Sequence, residues 1–153
     1  MAENNIGKRL YPDVCTLCRP YDDQRQIRVR LETDAVYLIL EYIHRGLNEL
    51  IVSPVHFREI EAIENTAERT EVLSFIRKYG KNPSCILDEI RKRAEQLCDK
   101  KIGIADSAHL AFAEATSDIF ITCDDKLIKK SYKASLNLTV MNPVKFCITE
   151  ELR

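Results

Sequence analysis

Five carboxylates draw attention by where they fall in the chain: Asp13, Glu59, Asp106, Asp124 and Asp125. They come from four separate segments. None of Asp13, Asp106 or Asp124 has a basic residue directly beside it in sequence. If folding gathers such acids, their mutual repulsion is costly unless a cation neutralises them. Oxygen-only donors suit Mg2+ or Mn2+. A site of that kind polarises a phosphoryl oxygen and activates water at neutral pH, which is the chemistry of phosphodiester hydrolysis. Taken singly, each acid has a plainer reading. Asp106, Asp124 and Asp125 stand at helix starts, where acids complement the macrodipole, and Glu59 could be a solvated helix residue. Only their joint placement favours a site.

That placement depends on the elements that carry them. Arg9 to Tyr11 reads as a short strand stopped by Pro12, with Asp13 just beyond it. From Ile27 to Leu47 the residues Leu31, Ala35, Leu38, Ile39, Tyr42 and Ile43 recur at helical spacing, and Gly46 suits that helix's end. Leu50-Ile51-Val52 is wholly apolar, as a parallel strand buried on both faces should be. Ser53-Pro54 then forms an N-cap with proline at the first helical position, and Glu59 lies two turns in. Further helices span Ala67 to Tyr79, ending before Gly80, and about Leu87 to Cys98. Gly103 to Asp106 opens an alanine-rich helix. Ile119 to Ile121 is a second buried strand, Asp124 to Tyr132 a short helix, and Leu138 to Val140 the last strand. This alternation predicts an α/β fold: a central parallel sheet with helices on both faces. Ligands of such sheets bind at the carboxyl ends of the strands, where these acids fall.

Other chemistries find less support. No P-loop, GxGxxG or ordered Ser/His/Asp constellation is present. The net charge of −1 gives no basic footprint for general nucleic-acid binding, although clustered carboxylates would themselves offset one. Local basic runs do occur: Arg25, Arg28 and Arg30; Arg91, Lys92 and Arg93; and Lys126, Lys129, Lys130 and Lys133. They read as solvated faces or as phosphate contacts. Cys15 and Cys18 form a CxxC without the second pair that a structural zinc site wants. Arg19-Pro20 argues against the continuous helix of a redox CxxC. The six cysteines are therefore expected to be mainly small core residues. No apolar run approaches the ~20 residues of a membrane span, and the N-terminus lacks an apolar signal core. We expect a cytoplasmic protein with one domain over residues 1–153.

The stretch Gly103-Ile-Ala-Asp106-Ser-Ala-His109-Leu-Ala-Phe-Ala113, followed by Asp118-Ile-Phe-Ile-Thr-Cys-Asp124-Asp125-Lys-Leu127, resembles the PIN-domain family, of the kind found in VapC-type toxins of toxin–antitoxin pairs. Ser53 to Glu59 is similar to that family's Ser-x5-Glu helix opening. Leu10-Tyr-Pro-Asp13 sits where its first aspartate belongs, Arg19 to Gln24 resembles a loop of one branch, and Val140-Met-Asn-Pro143 resembles its last strand and turn. The resemblance covers roughly residues 8 to 147. The chain departs from the pattern at Val14 and Cys15, where the family often carries hydroxyl or amide side chains; Thr16 is the candidate substitute.

The resemblance implies a PIN-like three-layer α/β/α fold and a ribonuclease using Mg2+ or Mn2+. It implies Asp13, Glu59, Asp106 and Asp124 as metal ligands, with Asp125 as the alternative beside Asp124. Hydrolysis in line would leave a 5′-phosphate and a 3′-hydroxyl. RNA is the implied substrate, an antitoxin the implied partner and a homodimer the implied assembly. His56 and His109 lie one turn from Glu59 and Asp106, and are expected to be packed or hydrogen-bonded rather than to touch RNA. A haloacid-dehalogenase phosphatase wants Asp-x-Asp-x-Thr, and Asp13-Val14-Cys15-Thr16 lacks the second aspartate. A receiver domain needs paired acids near its first strand and a lysine after a late one; Asp13 stands alone, and no lysine follows Thr122 directly. The remaining rival is a catalytically weak PIN domain that binds RNA or a protein.

Overall fold

The structure, a computed structural model, describes residues 7–153. Five short strands form one wholly parallel sheet: β1 (Arg9–Pro12), β2 (Glu49–Ile51), β3 (Gly80–Lys81), β4 (Ile119–Ile121) and β5 (Thr139–Met141), in the order β3-β2-β1-β4-β5. The connecting helices are α1 (Val14–Leu17), α2 (Ile27–His44), α3 (Pro54–Glu61), α4 (Thr66–Tyr79), α5 (Leu87–Asp99), α6 (Ile104–Thr116), α7 (Asp125–Lys133) and α8 (Pro143–Thr149). Period-2 alternation assigns the strand side chains to two cores. Leu10, Leu50, Ile119, Ile121 and Met141 pack with residues of α2, α4 and α8. Tyr11, Ile51, Phe120 and Val140 face the other way, toward α5, α6 and α7. The result is the expected three-layer α/β/α arrangement.

The chain runs outward from β1 through β2 to β3, then returns to place β4 on the other side of β1. The reversal leaves a crevice at the carboxyl ends of β1 and β4, the general location of ligands in open α/β sheets. Asp13 follows β1 directly, and its N–H donates to the Ile121 carbonyl at 3.0 Å. Pro12 is tolerated in this central strand because it is the last residue, where one missing donor costs least.

Several expectations need adjustment. β2 and β5 each begin one residue earlier or later than anticipated, at Glu49 and Thr139. The edge strand β3 was not anticipated. It is two residues long, and a Cβ on Gly80 would lie 2.3 Å from the Ile76 carbonyl oxygen, so this close approach requires glycine. Helix α8 was also not anticipated. Asn142 caps it by accepting the Val144 N–H at 2.8 Å, with Pro143 in the first turn. On α2 the buried stripe is rotated from the expected one. Leu31 is 56% exposed, whereas Glu32 is 1% exposed, held by Arg19, Arg28 and Asn142. α2 ends with Gly46 in the left-handed region at φ +73°, where a side chain would be strained. The CxxC segment is not one helix: α1 stops at Leu17 and a 3-10 turn containing Pro20 spans Arg19–Tyr21.

Candidate active site

Asp13 is the innermost of the five acids. It is almost fully buried as the N-cap of α1. Its Oδ1 accepts the Thr16 N–H at 2.9 Å and the Thr16 hydroxyl at 2.7 Å, and its Oδ2 accepts the Thr122 hydroxyl at 2.6 Å. Burial pushes this carboxyl above its ordinary range, against the pull of those hydrogen bonds and of His109. Thr122 directly follows β4, and its Oγ1 also accepts the Asp124 N–H at 3.1 Å. One hydroxyl therefore ties together the acids that follow β1 and β4.

Asp124 is exposed at the N-cap of α7, its Oδ1 accepting the Lys126 and Leu127 N–H groups at 3.0 and 3.1 Å. Asp125 differs. It is gripped by both terminal nitrogens of Arg28, at 2.6 and 2.8 Å, and that hydrogen bond lowers its carboxyl below the usual range. Asp106 is half-buried in the first turn of α6, whose N-cap is Gly103. Among the described residues its carboxylate accepts no hydrogen bond, so a capping role for it lacks the bond that capping requires. Burial raises the Asp106 carboxyl, and the negative charges of Asp13, Asp124 and Glu59 raise it further. The Cys15 thiol, at the exposed rim, responds likewise. It is pushed up to about 11 by desolvation and then by Asp13, Glu59, Asp106 and Asp124. Two separate groups thus feel the remaining acids at once; of the basic side chains, His109 offsets them in part at Asp106. The four acids do not close into a preformed ion cage: among the described residues, no three His, Cys, Asp or Glu side chains are arranged to hold a metal. Their donor chemistry, hard oxygens whose negative charge is only partly offset by His109, nevertheless fits Mg2+ or Mn2+.

Residues 27–132, more than half of the chain, match the sequence model of the PIN domain. The chain belongs to the PIN-domain family. PIN domains are generally nucleases and typically depend on a divalent metal. The matched span includes Glu59, Asp106 and Asp124 and begins after Asp13. Two solved structures share the fold at 18% identity. FitAcB from Neisseria gonorrhoeae aligns over 88% of this chain and 97% of that chain with a TM-score of 0.52. FitAB bound to an IR36 DNA fragment aligns over 88% and 95%, with a TM-score of 0.51. No curated protein matches the sequence.

In this PIN domain a buried polar chain, not evident in the sequence, stands behind Glu59. Glu59 Oε1 accepts a hydrogen bond from His109 Nε2, which holds the Glu59 carboxyl below its usual range. With that ring nitrogen donating, His109 Nδ1 accepts the Tyr11 hydroxyl at 2.7 Å, and Tyr11 in turn accepts from Ser53 Oγ at 2.7 Å. His56 lies beside them. Its Nδ1 accepts the Ser53 N–H at 3.0 Å and its Nε2 donates to the Pro12 carbonyl at 2.6 Å. Burial pushes the His56 imidazole down to about 4, so it stays neutral at pH 7. Both histidines are buried and hydrogen-bonded, as expected.

Val14, one of the departures from the family pattern, is a core residue, and Thr16 supplies a hydroxyl to Asp13 two positions later. The cysteines correct a simple expectation. Cys147 is buried, but Cys15 is exposed and Cys18, Cys85, Cys98 and Cys123 are only half-buried; all six thiols are free. Exposure grades across the acids: Asp13 is buried, Glu59 and Asp106 are half-buried, and Asp124 and Asp125 are exposed, Asp125 lining a shallow pocket with Arg28 and Asn142. Neither the apolar pocket lined by Tyr21, Tyr37 and Phe75 nor the polar one around Arg93 and Glu114 is lined by any of them. No helix among the described residues is long and apolar enough to cross a membrane.

Proposed function

We propose that this PIN domain is a divalent-metal-dependent endoribonuclease in which Asp13, Glu59, Asp106 and Asp124 hold Mg2+ or Mn2+. The observation that carries the reading is the convergence of the acids on Asp106: burial raises its carboxyl, the charges of Asp13, Asp124 and Glu59 raise it further, and His109 offsets this only in part. A divalent ion bound there supplies the missing charge, polarises a phosphoryl oxygen and makes water acidic enough to attack near neutral pH. The chain's own residues do the positioning. Thr16 and Thr122 fix both oxygens of Asp13, so little reorganisation is needed when the acid meets a cation. His109 fixes one oxygen of Glu59, with Tyr11 and Ser53 fixing His109. The exposure of Asp124 and the partial exposure of Glu59 and Asp106 suit a polymer that must pass across the site.

We further propose, from the likeness to VapC-type toxins, that the chain acts as the toxin of a toxin–antitoxin pair and as a homodimer. The rival reading, a binding module without turnover, rests on Val14 and Cys15; the Thr16 hydroxyl on Asp13 weighs against it. Purified protein incubated with single-stranded RNA should cleave it in Mn2+ or Mg2+, leave 5′-phosphate ends, and stop in excess chelator. Cleavage unchanged by chelator would overturn the metal mechanism. Binding without cleavage in either metal would favour the module.

A further inference from the structure

The hydrolytic site leaves the basic face of α7 unused. Lys126, Lys129, Lys130 and Lys133 are spaced i, i+3, i+4 and i+7, which puts them on one side of the helix. All four are exposed, while Leu127 and Ser131 are buried on the opposite side. In the other two basic runs most side chains have carboxylate partners: Arg25 pairs with Asp23, Arg28 with Asp125, Arg91 with Asp88 and Arg93 with Glu114. Among the described residues no ion pair engages any of the four lysines. The acid nearest them in sequence, Asp125, is already held by Arg28. The stripe starts two residues after Asp124 and runs along the helix for about 10 Å. Beside it Tyr132 is 65% exposed, with its hydroxyl donating to the Val140 carbonyl at 3.3 Å. That bond ties an exposed aromatic ring, adjacent in sequence to Lys133, to β5.

Four positive charges without ion-pair partners, on about two turns of helix, repel one another, in a protein whose net charge is −1. A polyanion relieves that repulsion, and its phosphates would release counterions on contact. The fixed ring of Tyr132 adds a surface on which an unpaired base can stack. We propose that this face of α7 is the docking surface for single-stranded RNA, guiding the strand's phosphates toward the acids at the start of the helix. The proposal rests on the ribonuclease reading and names the path its substrate takes.

The test is fluorescence anisotropy of a labelled single-stranded oligoribonucleotide over a range of KCl concentrations, with chelator present so that binding is read without cleavage. Three proteins are compared: the unaltered chain, the triple variant Lys129→Gln, Lys130→Gln, Lys133→Gln, and a control with the same charge change on exposed lysines of α4, α5 and α8, Lys78→Gln, Lys92→Gln, Lys145→Gln. Each lost phosphate contact on a single strand reduces the slope of log affinity against log salt by about 0.7, so the α7 variant should lose about 2 of slope. The control should keep it. A fourth protein, Tyr132→Ala, should bind about 5-fold or more weaker than the unaltered chain, with the slope unchanged. Equal slopes in all three proteins, an equal loss in the control, or tighter binding of duplex than of single strand would overturn the proposal. Cleavage in Mn2+ is measured on the same preparations. An unaltered chain that cleaves RNA while the α7 variant keeps its slope refutes the docking face alone. Lysine-dependent binding by a chain that never cleaves supports the docking face and refutes the nuclease.

Discussion

Thr122→Val removes one hydroxyl and keeps the shape of the side chain. Thr122 is fully buried, so its hydrogen bonds have no water to replace them. The bond it donates to Asp13 Oδ2 spans 2.6 Å and is charge-assisted, which makes it worth about 1.5–3 kcal/mol. The second bond, from the Asp124 N–H at 3.1 Å, is longer, has an uncharged donor and acceptor and is only part-buried, so its loss adds less. The expected destabilisation at pH 7 is about 2 kcal/mol, a fall in Tm of roughly 4–8 °C for a chain of this size. The effect should depend on pH. Asp13 is held above the ordinary carboxylate range by burial, so on acidification the folded chain takes up this proton before the unfolded chain does. The lost bond favoured the ionised form. The gap between the two proteins is therefore full where Asp13 is ionised, and shrinks toward the ~1 kcal/mol of a neutral hydrogen bond as pH falls through the folded-state pKa. Urea unfolding of both proteins between pH 4 and 8 measures it. A gap below about 0.5 kcal/mol at pH 7, or one that widens in acid, would refute the assignment of Thr122 as the donor that keeps Asp13 charged.

Asp124→Asn should retain the cap on α7, since asparagine caps as well as aspartate, and should lose most Mn2+ affinity and cleavage; Asp125→Asn should lose only its pairing with Arg28. Calorimetric titration of both variants separates them, and a larger loss for Asp125→Asn would reverse the assignment. Replacing Cys15 and Cys18 together by serine should leave metal-dependent cleavage within about 3-fold of the unaltered chain; stoichiometric zinc in the purified protein, released by the double change, would contradict this. Glu32→Gln should destabilise by about 2–3 kcal/mol in thermal unfolding, because it leaves Arg19 and Arg28 short of their shared anion. Burial alone would raise the Glu32 carboxyl, but the bonds from Arg19, Asn142 and Arg28 hold it below its usual range. Its contribution is therefore present above the unfolded carboxylate pKa and lost as pH falls through the lower folded value, and the deficit of Glu32→Gln should fade over that acid range.

The strands at the centre of the sheet were legible because they are buried on both faces and so are apolar throughout, as in Leu50 to Val52 and Ile119 to Ile121. Residues at their carboxyl ends followed from sheet geometry. Edge elements were harder. Two residues of β3 carry no periodicity, and Gly80 reads first as a helix stop. Helix α8 carried a usable signal, since Asn142-Pro143 repeats the cap-and-proline logic of Ser53-Pro54. Leu31 misled because apolar spacing on α2 fits two overlapping stripes, and the buried one includes Glu32, whose partners lie at Arg19 and Asn142. The polar chain behind Glu59 could not be read. Tyr11 meets Ser53 and His109, partners 42 and 98 residues away, and nothing local marks a tyrosine in a buried strand as a hydrogen-bond bridge.

Manganese titration of the unaltered chain and of Asp106→Asn, followed by calorimetry without RNA, tests most directly whether the acids form a cation site. Asparagine is tolerated at a helix start, and removing one of four neighbouring negative charges relieves repulsion, so the variant should unfold at the same temperature or slightly higher. The account predicts saturable Mn2+ binding by the unaltered chain and at least a 10-fold loss of affinity in a variant that remains fully folded. Undiminished binding by folded Asp106→Asn, or no binding by the unaltered chain, would contradict it.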